Sequence, residues 1–103
     1  MRLILASQSP RRKQIFTRLN IPFQIINSKI DEDQFHHING PIIYSRELAE
    51  VKASAVSNRY IDMIVLGADT IVVLDDKILG KPADRQDAIN MLNFLSGHTH
   101  QVI

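Results

Sequence analysis

Short apolar runs alternate along this chain with segments whose apolar residues recur every three to four positions, and few folds accommodate that alternation. "RLILAS" and "FQIIN" read as strands, and "MIVLGADTIVVLDDKILGKP" reads as two strands joined by a tight turn at "DDK". Between them, Ser9 and Pro10 supply an N-cap hydroxyl and a proline at the first helical position. A helix is predicted from Pro10 to Leu19, with Ile15, Phe16 and Leu19 as its apolar stripe. A second is predicted from Ile43 to Arg59 on the spacing of Tyr44, Leu48, Val51 and Ala55. Asp84 caps a third, whose stripe is Ala88, Met91, Leu92 and Leu95 and which Gly97 stops. "HTHQVI" opens one more strand. Strands alternating with helices predict an α/β fold, a mixed sheet covered by helices.

Composition narrows the function classes. With 103 residues, 45% of them hydrophobic, the chain has the makeup of a single domain, 1–103, with a modest core. Twelve basic against eleven acidic residues give a formal net charge of +1, so any anion binding must come from local placement. Near-neutral charge and six aromatic side chains also argue against a nucleic-acid partner. The absence of cysteine excludes disulfides and thiolate metal sites and fits a reducing compartment, with the cytoplasm as the default. "LILA" is too short for a signal-peptide core, and no apolar stretch approaches the ~20 residues of a membrane span.

Two local features point to chemistry. In "LASQSPRRKQI", the strand passes through Ser7 and Ser9 into a helix start, which aims backbone N–H groups and the positive dipole end at one place. Arg11, Arg12 and Lys13 occupy that first turn, where cations repel the dipole and a bound anion would relieve them. A serine N-cap with solvated basic residues is the plainer reading. The second feature is Asp69, set among apolar neighbours in "IVLGADTIVVL", where an ionised carboxylate is costly unless paired or bound to metal. Gly67 and Ala68 beside it leave room for a ligand, and Lys81 in "GKP" lies within reach of what Asp69 faces. A structural aspartate held by backbone N–H groups or a lysine is the alternative.

Lys52, next to Val51 on the second helix, reads by itself as a surface residue, and "DED" at Asp31 to Asp33 as a solvated loop. Taken with Asp69 and the cations, the acidic segment becomes a candidate metal site for Mg²⁺ or Mn²⁺. Cations for phosphate oxygens, with carboxylates for a metal and for deprotonating water, are the equipment of a phosphoanhydride hydrolase. His98 and His100 could share a strand face, yet no third zinc ligand stands nearby, and His36 and His37 sit in the polar loop without a special role. The GxxxxGK[ST], GxGxxG and G-x-S-x-G elements are all missing.

"LILASQSPRRKQIF", "IDED", "SRELAEVKASA" and "VLGADTIVVLDDKILGKPADRQDAINMLNFLSGHTHQVI" together resemble the first part of the Maf family, nucleoside triphosphate pyrophosphatases also called septum formation inhibitor proteins. The resemblance runs from Leu3 to Ile103 in one order. It implies a long, bent, mixed sheet flanked by helices, with a cleft between two lobes. It also implies metal-dependent cleavage of a nucleoside triphosphate into monophosphate and pyrophosphate by a homodimer. On the same resemblance Asp69 becomes the proton acceptor and, with Glu32, the metal site, while Ser7, Arg11, Arg12, Lys52 and Lys81 become phosphate or nucleotide contacts. Arg11 and Thr70 match the subgroup acting on dTTP and UTP, where enzymes similar to those for 7-methyl-GTP carry tryptophan and glutamine. The implied role is the cleansing of nucleotide pools.

The chain departs from the family pattern in two respects. Val51 stands where an acidic residue is frequent. The family pattern also continues beyond residue 103 with further strands and a glutamine that contributes to base selection, so the domain reads as truncated, with an unpaired apolar edge expected at "HQVI". A non-catalytic nucleotide-binding or division-associated protein is therefore the alternative to a pyrophosphatase.

Overall fold

The computed structural model of the chain describes residues 2–35 and 39–103, with Asp33 by its backbone alone. His36 and His37 lie outside the described residues. The architecture is α/β, and the described residues form two compact units. One comprises 2–35 with Arg46–Asp69, and the other 39–45 with Thr70–Ile103.

In the first unit, β1 (Leu3–Leu5) is the middle strand of a parallel sheet ordered β2-β1-β3, with β2 at Gln24–Ile25 and β3 at Ile64–Leu66. The pairs Leu5↔Ile25 and Leu5↔Leu66 set the register. Backbone bonds from Ala6 N–H to Leu66 O (2.9 Å) and from Ile26 N–H to Leu5 O (3.1 Å) extend it past the strand ends. A central parallel strand must be apolar on both faces, and Ile4, Leu5 and Ala6 are all buried. Ile4 and Ala6 form the core with Val56 of α2 (Pro41–Ser57). Each fully buried large aliphatic side chain there contributes roughly 1.5–3 kcal/mol.

The helix α1 (Pro10–Arg18) starts where the sequence indicates, with Ser9 Oγ accepting from Arg12 N–H. Its expected stripe does not enter a core. Ile15 and Leu19 are exposed, and Phe16 is half-buried with its ring centroid 5.7 Å from that of Phe23. On α2 the buried line runs through Leu48 and Val56, one position away from the expected Val51 and Ala55, and Lys52 lies on that line. The expected stripe assumed that only apolar residues turn inward.

In the second unit, β4 (Val72–Leu74) is flanked on both sides by antiparallel partners, β5 (Lys77–Leu79) and β6 (Gln101–Val102). Asp75 and Asp76 have φ of +50° and +64°, the two-residue turn whose twist matches a hairpin. Reciprocal backbone bonds between Ile71 and Ile103 (2.8 and 2.9 Å) close the other side, and β6 forms an edge of that sheet. The third helix, α3 (Arg85–Leu95), begins at the expected cap. Asp84 accepts from Asp87 N–H, and Asp87 accepts in turn from Ala83 N–H. Lys77 Nζ lies 5.0 Å from the Phe94 ring centroid, which ties α3 to the hairpin. Leu92, expected in the apolar stripe, is exposed.

The long apolar run thus forms three strands, divided between a parallel and an antiparallel sheet. Asp69 was expected inside a strand. It stands instead in the connection between β3 and β4, because β3 pairs with β1 and β4 pairs with β5 and β6.

Candidate active site at the carboxyl edge of the parallel sheet

In a parallel sheet the carboxyl ends of all strands lie at one edge, so the residues following β1 and β3 emerge side by side. That edge is where open α/β sheets place their ligands. Ser7 follows β1 there, and Gly67, Ala68 and Asp69 follow β3.

Ser7 is buried, and its Oγ accepts two hydrogen bonds, from Ser9 N–H (3.1 Å) and from Arg12 Nη1 (3.1 Å). Both lone pairs are then engaged, which leaves the hydroxyl only its own proton to donate. Arg12 is folded back on the turn that precedes its own helix. The guanidinium therefore stays beside the positive end of α1, whose first turn holds no acidic residue. Arg11 is exposed on the same turn.

The second cluster joins three segments far apart in sequence. Lys52 Nζ lies 2.8 Å from Asp69 Oδ1 and 2.7 Å from Glu32 Oε1, Glu32 being supplied by a single 3₁₀ turn at Glu32–Gln34. The side chains of Asp69 and Lys52 are 7% and 13% exposed, that of Glu32 49%. Burial works against the Lys52 charge, but the hydrogen bonds and charges of Asp69 and Glu32 outweigh it and hold its pKa above the usual 10.5. Asp69 Oδ2 is buried and has no hydrogen-bond partner among the described residues. A buried carboxylate oxygen is costly when unpaired, so this atom calls for a partner such as a water or a cation.

Gly67 makes the Lys52–Asp69 contact attainable. A Cβ there would meet Ala53 Cβ and Ala53 N at 2.9 Å and run into the Ala49 carbonyl. The space that sequence reasoning left for a ligand beside Gly67 is filled by α2. Close approach of strand end to helix brings Asp69 to Lys52, which adjoins Ala53. The signal for this was present as two alanines at i and i+4, Ala49 and Ala53, flanking Lys52 on the helix.

The structure therefore brings Glu32, Lys52 and Asp69 together, and separately joins Ser7 to Arg12. Thr70 and Lys81 belong to the second unit, where both are exposed, Lys81 just past β5. His98 and His100 are exposed as well. Among the described residues no group of three or more His, Cys, Asp or Glu stands together. Glu32 and Asp69 nevertheless fit a hard divalent cation of the Mg²⁺ type, which is commonly bound by one or two carboxylates with water and phosphate oxygens completing its shell. The unpartnered Asp69 Oδ2 is the free donor such an ion requires. No helix among the described residues is long and apolar enough to cross a membrane.

The family described as Maf-like protein matches residues 2–103. The chain is 52% identical over 101 residues to a dTTP/UTP pyrophosphatase of Symbiobacterium thermophilum, covering 98% of this chain and 52% of that protein. It is 50% identical over 102 residues to a dTTP/UTP pyrophosphatase of Bacillus velezensis, covering 99% and 53%. A nucleoside triphosphate pyrophosphatase of Chlamydia pneumoniae is 46% identical over 103 residues, covering 98% and 53%. The chain spans about half the length of these curated relatives.

Proposed function

The chain belongs to the Maf-like protein family, and on that premise we propose that it hydrolyses dTTP and UTP. Water and the nucleoside triphosphate yield the monophosphate and pyrophosphate. The observation that carries the reading is Asp69, whose Oδ1 is held by Lys52 while its buried Oδ2 has no partner among the described residues. The Asp69 carboxylate has a lone pair to accept a proton from water as the water oxygen bonds to the α-phosphorus. The bond from that phosphorus to the bridging oxygen breaks, and pyrophosphate leaves with the electron pair.

The remaining residues bind and neutralise. Ser7 donates its hydroxyl proton to a phosphate oxygen, and Arg11, Arg12, Lys52 and Lys81 contribute positive charge. Thr70 and Arg11 select the pyrimidine nucleotide. Glu32 and Asp69 would hold Mg²⁺ or Mn²⁺, which when bound neutralises charge developing on the phosphate oxygens. The reading includes a homodimer in the cytoplasm that cleanses nucleotide pools. Support for the substrate comes from the relatives named dTTP/UTP pyrophosphatase.

The test is pyrophosphate release from dTTP, UTP, CTP and 7-methyl-GTP with Mg²⁺ or Mn²⁺, by the native chain and by Asp69→Asn. Turnover of dTTP and UTP that disappears in the variant is the expected result. Nucleotide binding without release from the folded chain would return the non-catalytic alternative, and release unchanged in Asp69→Asn would remove Asp69 from the chemistry.

A further inference from the structure

The two carboxylates that the proposed function assigns to a divalent cation already share a cation supplied by the chain itself. Lys52 Nζ stands at 2.7 Å from Glu32 and 2.8 Å from Asp69, so two of its three donors are aimed at them. Two carboxylates and one ammonium leave the cluster one net negative charge. A divalent ion entering beside the ammonium would meet that small net charge together with a like charge at contact distance. The ammonium is also a compact point charge on a flexible four-carbon stem, suited to phosphate oxygens. It cannot serve both sets of oxygens fully at once.

We propose that Lys52 is an exchangeable counterion, held by Glu32 and Asp69 until a metal-bound triphosphate arrives, whose phosphate oxygens then take the ammonium while the carboxylates take the metal. The inference rests on the functional reading above. Three observations support it. Among the described residues Asp69 Oδ2 is buried and unpartnered, so Asp69 offers a donor atom that Lys52 does not occupy. Glu32 is about half exposed and lies on a single 3₁₀ turn, so its carboxylate can be reached from solvent. The α2 backbone is held at Ala49 and Ala53 against Gly67, so exchange is left to the Lys52 side chain. Because each partner relieves the cost of binding the other, divalent cation and triphosphate bind cooperatively, and the coupling is reciprocal.

The experiment measures Mn²⁺ affinity by the electron paramagnetic resonance signal of free Mn²⁺. It uses the whole chain, with and without an α,β-imido analogue of UTP, corrected for Mn²⁺ held by free analogue. The analogue should tighten Mn²⁺ binding to the native chain by about tenfold or more, the scale of one partly screened charge contact. Lys52→Met should bind Mn²⁺ about tenfold tighter than the native chain without analogue, with its coupling reduced, whereas Lys52→Arg should stay weak because it keeps the charge. Equal or weaker Mn²⁺ binding by a folded Lys52→Met would overturn the proposal. So would native affinity that the analogue leaves unchanged, an arm that decides the matter even if Lys52→Met does not fold. Pyrophosphate release is measured separately, in the assay given for the proposed function. Cooperative binding without pyrophosphate release keeps this inference while the proposed activity fails, and release without cooperativity does the reverse.

Discussion

Gly67→Ala tests the packing that places the candidate site. A methyl group added at this position would come within 2.9 Å of Ala53 Cβ and Ala53 N and collide with the Ala49 carbonyl. Two of those three contacts are with backbone, which cannot rotate away as a flexible side chain can. Overpacking of this kind costs about 1–3 kcal/mol. Gly67 does not have a positive φ, so alanine meets no backbone strain there and reduces the freedom of the unfolded chain, a gain of about 0.4–1 kcal/mol. The net loss is about 1–2 kcal/mol, or roughly 5–15 °C in Tm for a chain of this size. The assay is thermal and urea unfolding followed by circular dichroism, with Gly80→Ala as the matched control. Gly80 also lacks a positive φ, and among the described residues a Cβ there meets nothing within 4 Å, so the control should be neutral or slightly stabilised. Equal stability of the two variants would refute the argument that β3 and α2 are in contact through a missing side chain.

Two further outcomes follow from particular contacts. The Lys52 pKa is raised in the folded chain, so the lysine's stabilisation is fully present below its unfolded value near 10.5 and is lost as pH rises through the higher folded value. The difference in urea midpoint between the native chain and Lys52→Met should accordingly be constant near neutral pH and shrink above 10.5, and a gap that widens there would have the wrong sign. At the β4–β5 turn, Asp76 has a φ of +64°, so Asp76→Gly should raise stability by about 1 kcal/mol by removing the left-handed cost, as read from urea unfolding. No gain would mean that the aspartate side chain compensates within the turn.

The helix starts were legible because capping is local. Ser9-Pro10 and Asp84 satisfy backbone N–H groups within three residues of themselves, and both helices begin there. The hairpin turn was legible for the same reason, since two adjacent residues must take positive φ and Asp75 and Asp76 are short polar residues that tolerate it. The pairing of strands was not. "MIVLGADTIVVL" is continuous in hydropathy, and its division into β3 and β4 depends on β1, β5 and β6, which lie elsewhere in the chain.

The candidate site shows the same division. Asp69 could be singled out because a carboxylate among apolar residues is costly wherever the chain puts it, and Ser7 and Arg12 because they flank a recognisable helix start. The inward position of Lys52 could not be read from periodicity, which expects apolar residues on the buried line of a helix. Its place there depends on Glu32 and Asp69, twenty and seventeen positions away. Sequence alone determined the α/β class, the helix caps, the hairpin turn and the residues able to carry charge chemistry, since each rests on a residue and its near neighbours. Only the tertiary structure decided which charges meet, because the Glu32–Lys52–Asp69 contact requires a 3₁₀ turn, a helix and a strand end to converge. That convergence is possible because Gly67 has no side chain to hold the strand end and the helix apart.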